Sequence, residues 1–81
     1  MKVEVKRLRR LATRVPPVVR ASLLILARNR WPERLDDLGV DADALYERIV
    51  EEGDLEAVDL ETATRVLRVC LDEDPVETVE R

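Results

Sequence analysis

The sequence predicts an all-α fold, a compact bundle of five to six short helices around a central apolar helix. Three observations support this prediction. Apolar residues recur at helical spacing, prolines and glycines stand where helices would start or end, and the apolar set is Leu, Val, Ile and Ala with one Trp, one Tyr and no Phe. The 81 residues contain neither a repeat nor a linker, so residues 1–81 are interpreted as a single domain.

The first predicted helix covers roughly residues 4–14 and is amphipathic. At 100° per residue its apolar side chains fall within an arc of about 120°. Val3 and Glu4 depart from this pattern, and the alternation in "KVEVK" also fits a short strand. Val15 ends the helix because a residue before proline avoids the α conformation. The side opposite the apolar arc carries Lys2, Lys6, Arg7, Arg9, Arg10 and Arg14.

The second predicted helix begins at Pro17, since proline is tolerated in a first turn. Apolar residues from Val18 to Arg30 run round most of the helix, which predicts the central position in the bundle. Pro32 stops this helix near Trp31 and starts a short third helix. That third helix carries Leu35 and Leu38.

Gly39 followed by Val40 predicts a helix end with a left-handed glycine. Asp41 is the expected N-cap of a fourth helix, with Asp43 in its first turn. This helix is expected to run to about Glu52 and to stop at Gly53. Its expected buried residues are Ala42, Leu45, Tyr46, Ile49 and Val50.

Asp59 is the expected N-cap of the next helix, with Val58 and Ala63 as a hydrophobic staple. "DPVE" at residues 74–77 predicts a further short helix containing Val76 and Val79. The apolar face of the helix after Asp59 comprises Leu60, Ala63, Val66, Leu67, Cys70 and Leu71.

Residues 33–52, with "LDDLGVDADALYERI", resemble the helix-turn-helix of small transcriptional regulators. The resemblance rests on Leu35, Gly39, Val40, Leu45 and Ile49. The segment "SLLILARNRW" would supply the preceding helix. The resemblance implies that the fourth helix enters the DNA groove. Its outward side chains are net acidic, however, and DNA phosphates repel such a face. We therefore interpret the segment as a helical corner, with outward positions Asp41, Asp43, Ala44, Glu47, Arg48 and Glu51.

Charge is divided unevenly between the two halves of the chain. Residues 1–34 carry ten Lys/Arg and two acidic residues, whereas residues 35–81 carry four Arg and sixteen acidic residues, so net charges of +8 and −12 give the total of −4. This division predicts a basic surface for an acidic partner, or two halves that attract each other.

The basic side of the first helix is the candidate binding site for a partner or for phosphates. It could bind an acidic protein or a second copy of the chain, neutralise nucleic-acid phosphates, or simply be solvated. No aromatic residue is interleaved, which disfavours stacking on single strands and also a membrane surface. The first hypothesis is a non-catalytic protein-interaction and assembly module, and the alternative is a small DNA- or RNA-associated regulator that contacts phosphates without reading sequence. The site residues are Lys6, Arg7, Arg10 and Arg14.

Other classes of site have little support in the sequence. Trp31 and Tyr46 could anchor a partner, although residues of this type also cap a core at helix junctions. The chain has no His, no Gly-rich phosphate loop, and one Ser, Ser22, inside a predicted helix. Asp41 to Glu52 has the length of a calcium loop but places Tyr46 where glycine is required. We expect no enzymatic activity, no cofactor and no metal.

Composition also suggests where the protein is located and what kind of source it comes from. Cys70 is the single cysteine, which excludes an internal disulfide. The longest apolar run, "LLILA", is too short for a membrane span, and the N-terminal residues do not resemble a secretory signal. We therefore expect a cytoplasmic protein. One Asn, no Gln, one Met and 40% charged residues are typical of a heat-adapted source.

Overall fold

The structure, a computed structural model, describes residues 5–73, and every regular element among them is a helix. The helices are α1 (Val5–Arg14), α2 (Pro17–Arg30), α3 (Pro32–Asp37), α4 (Ala42–Val50) and α5 (Leu60–Glu73). The predicted all-α fold is confirmed. The short helix expected to start at residues 74–77 and to contain Val76 and Val79 lies outside the described residues, as do residues 1–4, where the first helix or a strand was expected to begin.

Prolines mark both ends of α2, as the sequence predicts. Pro17 occupies the first turn, and the carbonyl of Pro16 accepts hydrogen bonds from the Val19 and Arg20 N–H groups at 3.0 and 2.9 Å. At the other end the Trp31 N–H donates to the Ala27 carbonyl at 2.7 Å. Pro32 then starts α3, so the second and third helices follow each other without a linker.

The corner between α3 and α4 has the predicted turn geometry. Gly39 adopts a φ of 78°, a left-handed conformation that a residue with a Cβ rarely adopts. The Val40 N–H donates to the Leu35 carbonyl at 2.9 Å and the Gly39 N–H to the Asp36 carbonyl at 3.0 Å, the two bonds of a Schellman motif. Asp41 Oδ1 accepts from the Ala44 N–H at 3.2 Å, which confirms the N-cap.

The segment between α4 and α5 supplies part of the core. Gly53, at a φ of 68°, lets the Asp54 N–H donate back to the Arg48 carbonyl at 3.0 Å. Val58 is buried, and so is Ala63 of the expected staple. Asp59 Oδ1 accepts from the Thr62 N–H at 2.8 Å, confirming the N-cap; hydrogen bonds from Thr62 lower the pKa of this carboxyl.

The core lies mainly around α5, which packs against α1, α2 and α3. Because neighbours cover α5 from more than one side, its buried arc is wider than the expected face. Val69, which was not assigned to that face, is fully buried, whereas Leu60, Cys70 and Leu71 are half-buried. The largest fully buried side chains in the described residues are Leu8, Leu24, Leu35, Val58, Val66 and Val69.

Helix α2 is packed by several helices, as its apolar residues predict, and leaves one side exposed. It packs against α3, α4 and α5, and buries Ala21, Leu24 and Ala27. These buried residues share one side of the helix. The opposite side stays exposed and includes Val18, Val19 and Leu26.

The burial expected for four residues of α4 also needs correction. Val50, in the last turn, is 53% exposed, and the main contacts of α4 are with α2 and α3. Ala42, Leu45 and Tyr46 are half-buried, while Ile49 is buried as expected.

Candidate functional site

The outer side of α1 is an exposed row of cations. Leu8 and Ala12 are buried and fix the opposite side of the helix against α5. Residues three and four apart are neighbours on a helix, so the cations that share the outer side form one continuous surface. We call this surface the basic stripe; it consists of Lys6, Arg7, Arg10 and Arg14, all of which are exposed.

The basic stripe is not neutralised by the part of the protein that the structure describes. None of its four side chains lies within ion-pair distance of a carboxylate of residues 5–73. Arg9, on the flank of the same helix, does pair with Glu61 of α5 at 3.2 Å. Within α1, the attraction expected between the basic and acidic halves is therefore realised at Arg9, while the stripe itself faces solvent.

Arg20 of α2 forms hydrogen bonds with the C-terminal end of α1 and so holds that helix in place. Its guanidinium donates to the carbonyls of Val15 at 3.0 Å and Ala12 at 3.2 Å, and to that of Val58 at 3.5 Å. The last carbonyls of a helix lack partners within the helix, and a cationic donor satisfies them and complements the helix dipole. Sequence reasoning missed this role; the available signal was a single arginine in the apolar first half of α2.

Several arginines beyond α1 form ion pairs with acidic residues of the same chain at the surface. Arg28 donates to Asp43 at 2.8 Å and Arg48 to Asp54 at 2.7 Å. The hydrogen bond from Arg48, together with the Glu56 N–H, lowers the pKa of Asp54.

Arg34 joins α3 to the end of α5. It pairs with Asp72 at 3.4 Å and with Glu73, and Arg68 lies 4.0 Å from Asp72. The hydrogen bond to Glu73 is the main reason that the pKa of Arg34 is raised above its usual value. Acidic residues of the second half thus engage arginines from α2 to α5 rather than those of the basic stripe.

The outward face of the helix-turn-helix-like corner is exposed and acidic. Its positions Asp43, Ala44, Glu47, Arg48 and Glu51 all reach solvent. Since Arg48, the only basic residue of α4, already pairs with Asp54, it cannot offset the acids for an incoming phosphate. The geometry of the corner therefore matches its predicted shape, and its charge opposes DNA contact.

A groove of about 570 Å³ lies beside this corner, between α2, α3 and α4. Four carboxylates line it along with Arg28. No group of three His, Cys, Asp or Glu residues within 5–73 is arranged to hold a metal ion. The acidic lining residues are Glu33, Asp36, Asp41 and Asp43.

The two candidate anchors are placed at helix junctions. Trp31 joins α2 to α3, packs against the core, and has the Arg30 guanidinium 5.4 Å from its ring centroid. Tyr46 of α4 has the Arg28 guanidinium 4.1 Å from its ring centroid. Both rings are half-buried and each is covered by a cation of the same chain. A partner that used either ring would first displace an arginine.

Comparison with protein-family models, with curated proteins and with solved structures finds no match to this chain. The helix-turn-helix resemblance therefore remains a prediction based on the local geometry of α3 and α4. Within residues 5–73 no helix combines the length and the apolar character needed to span a bilayer.

Proposed function

We propose that this protein is a non-catalytic binding module that docks on an acidic protein surface through the basic stripe. The observation that carries the proposal is a contrast within the chain. The four stripe cations are exposed without a carboxylate partner in residues 5–73, while five other arginines pair with carboxylates: Arg9, Arg28, Arg34, Arg48 and Arg68.

The stripe has properties that suit a protein partner. Three of its members are arginines, whose planar guanidinium groups bind carboxylates through two parallel hydrogen bonds. The burial of Leu8 and Ala12 and the hydrogen bonds from Arg20 fix the helix that carries them. A partner therefore meets cations whose backbone is already ordered, and binding does not require the cost of forming the helix.

Nucleic acid is the second candidate, because the same row of cations would neutralise phosphates. Helix α1 has ten residues and a length of about 15 Å, so a duplex lying on it would extend beyond the stripe. Its phosphates would then approach the acidic surfaces formed by residues after Glu33. An acidic protein surface of limited size avoids this repulsion, which favours the first candidate.

The test compares two polyanions on the full chain at low and moderate salt. We expect poly-glutamate to bind at low salt and a duplex DNA to bind roughly tenfold more weakly at the same salt. The double variant Arg7→Gln/Arg10→Gln should lose binding of poly-glutamate. The matched control Arg48→Gln/Arg65→Gln removes the same charge from exposed positions of α4 and α5, outside the stripe, and should keep it.

Any result that differs from this expected pattern of binding contradicts a specific part of the proposal. Tighter binding of DNA than of poly-glutamate, lost in the Arg7→Gln/Arg10→Gln variant, would replace the protein partner by nucleic acid. Equal loss in the stripe variant and in the control would show that net charge matters and that the stripe does not. Absence of binding to both polyanions at low salt would overturn both candidates.

A further inference from the structure

Exposed apolar side chains concentrate beside the basic stripe. Among the described residues, four of the six large hydrophobic side chains with high exposure belong to α1 and α2. The other two are Val50 in α4 and Leu55 in the following loop. We call the four residues of α1 and α2 the apolar patch: Leu11 at 44%, Val18 at 49%, Val19 at 40% and Leu26 at 42% exposure.

The apolar patch is continuous along α2. Val19, Leu23 and Leu26 have the spacing i, i+4 and i+7, which places them on one side of the helix. Leu23 is half-buried and fills the space between the two exposed residues. The side chains therefore form an apolar strip about two turns long.

The N-terminal end of the strip lies at the junction with α1. Because Arg20 donates to the carbonyls of Ala12 and Val15, the start of α2 is held against the end of α1. Val19 lies in the first turn of α2 and Leu11 in the last turn of α1. Leu11 is four residues after Arg7 and three before Arg14, so the α1 member of the apolar patch borders the basic stripe.

The charged residues of the two helices that carry the patch are of one sign. The segments Val5–Arg14 and Pro17–Arg30 contain eight Lys or Arg residues and no Asp or Glu. A second copy of the chain placed patch to patch would bring two basic surfaces together, which is unfavourable. Charge complementarity instead requires a partner with apolar side chains and a negatively charged surround.

We propose that the apolar patch and the basic stripe together bind one acidic amphipathic helix. Its apolar side chains would cover Val19, Leu23 and Leu26, and its carboxylates would pair with the stripe, the mode in which a helix lies along a complementary apolar surface. This inference rests on the proposed function and adds that the acidic partner presents a helix with an apolar side.

The experiment measures anisotropy with two labelled peptides of equal length and equal negative charge. One carries Leu at i, i+3, i+4 and i+7, and the other carries Gln at those positions. The full chain should bind the Leu peptide roughly tenfold more tightly, because apolar side chains are buried on binding. The variant Val19→Ser/Leu26→Ser should lose the tenfold preference for the Leu peptide and should bind the Gln peptide with unchanged affinity.

The matched control is Val50→Ser/Leu55→Ser, which removes equally exposed apolar side chains elsewhere and should keep the preference. Equal affinity of the unmodified chain for both peptides overturns this inference and leaves the proposed function intact. Unchanged binding in Arg7→Gln/Arg10→Gln, with loss in the patch variant, overturns the proposed function and leaves the patch as an apolar site. A salt-independent dimer in light scattering, abolished by Val19→Ser/Leu26→Ser, would mean that a second copy covers the patch and would overturn the proposal.

Discussion

Helices α1 and α4 are alike in shape and opposite in charge. Each is short, packs through one side, and presents charged side chains on the other. On α1 the exposed side is basic and faces solvent without carboxylate partners in the described chain. On α4 it is acidic, with Asp43 engaged by Arg28 and Arg48 by Asp54. Helical geometry thus locates a surface, and the sign and pairing of its charges decide what it can bind.

The comparison bears directly on the helix-turn-helix resemblance. The corner at α3 and α4 has the glycine turn and buried leucine of such motifs, and this geometry made α4 the expected DNA-reading helix. The pairing of Arg48 removes the one cation that could have offset its acids. The binding surface proposed for the domain therefore lies on α1, outside the helix-turn-helix-like corner.

The largest effect on stability is expected from replacing the buried residues that pack α1 and α4 against the other helices. Leu8 of α1 is 2% exposed and Ile49 of α4 is 6% exposed. Replacing either by alanine should lower the free energy of unfolding by about 2–5 kcal/mol, because a buried side chain is lost and a cavity remains. Denaturant unfolding measures this. A loss below about 1 kcal/mol for Leu8→Ala would mean that α1 is not packed as described.

A smaller effect on stability is expected at acidic pH, through the ion pair between Arg48 and Asp54 near the end of α4. The pKa of Asp54 is lowered in the folded state, chiefly by Arg48, from an ordinary value of 3.8. A lowered folded pKa gives stability that is present above the unfolded pKa and is lost as pH falls through the folded pKa. NMR titration should show the pKa of Asp54 returning toward 3.8 in Arg48→Gln.

Arg7→Gln is the matched control for that titration, since it removes an arginine that has no carboxylate partner in the described residues. We expect the pKa of Asp54 to stay low in this variant. A rise of similar size in both variants would contradict the distinction between paired arginines near α4 and unpaired arginines on α1.

The smallest expected effect is a difference in stability between variants on the flank of α1 and variants on its outer side. Arg9→Gln removes the exposed ion pair with Glu61 and should cost about 0–1 kcal/mol of stability. Arg7→Gln should leave stability unchanged within error, because its charge contacts no described carboxylate, while weakening poly-glutamate binding. Thermal unfolding of both variants at two salt concentrations provides the check. A larger loss for Arg7→Gln than for Arg9→Gln would contradict the assignment of the stripe to binding.

Local rules explain why the helix boundaries could be predicted from the sequence. Pro17, Gly39 and Asp41 act through their own backbone conformation or through partners within a few residues, so their effects do not depend on the rest of the fold. The basic stripe was predictable for the same reason, since helical spacing alone places its members on one side.

Burial could not be predicted as well, because it depends on which helices meet. The apolar residues of α2 predicted neighbours on several sides, and three helices do pack against it, yet Val19 and Leu26 remain exposed. Val69 is buried because α5 has neighbours on several sides. The role of Arg20 depends on the carbonyls of Ala12, Val15 and the distant Val58, and a single arginine in an apolar stretch does not indicate which carbonyls it will contact.

Arg20 also couples segments that could otherwise open separately. One side chain links the end of α1, the start of α2 and Val58 just before α5. Separating α1 from the bundle would leave the Ala12 and Val15 carbonyls without these donors. We therefore expect local opening of α1 to loosen the segment that leads into α5 as well, rather than to stay confined to fraying of α1.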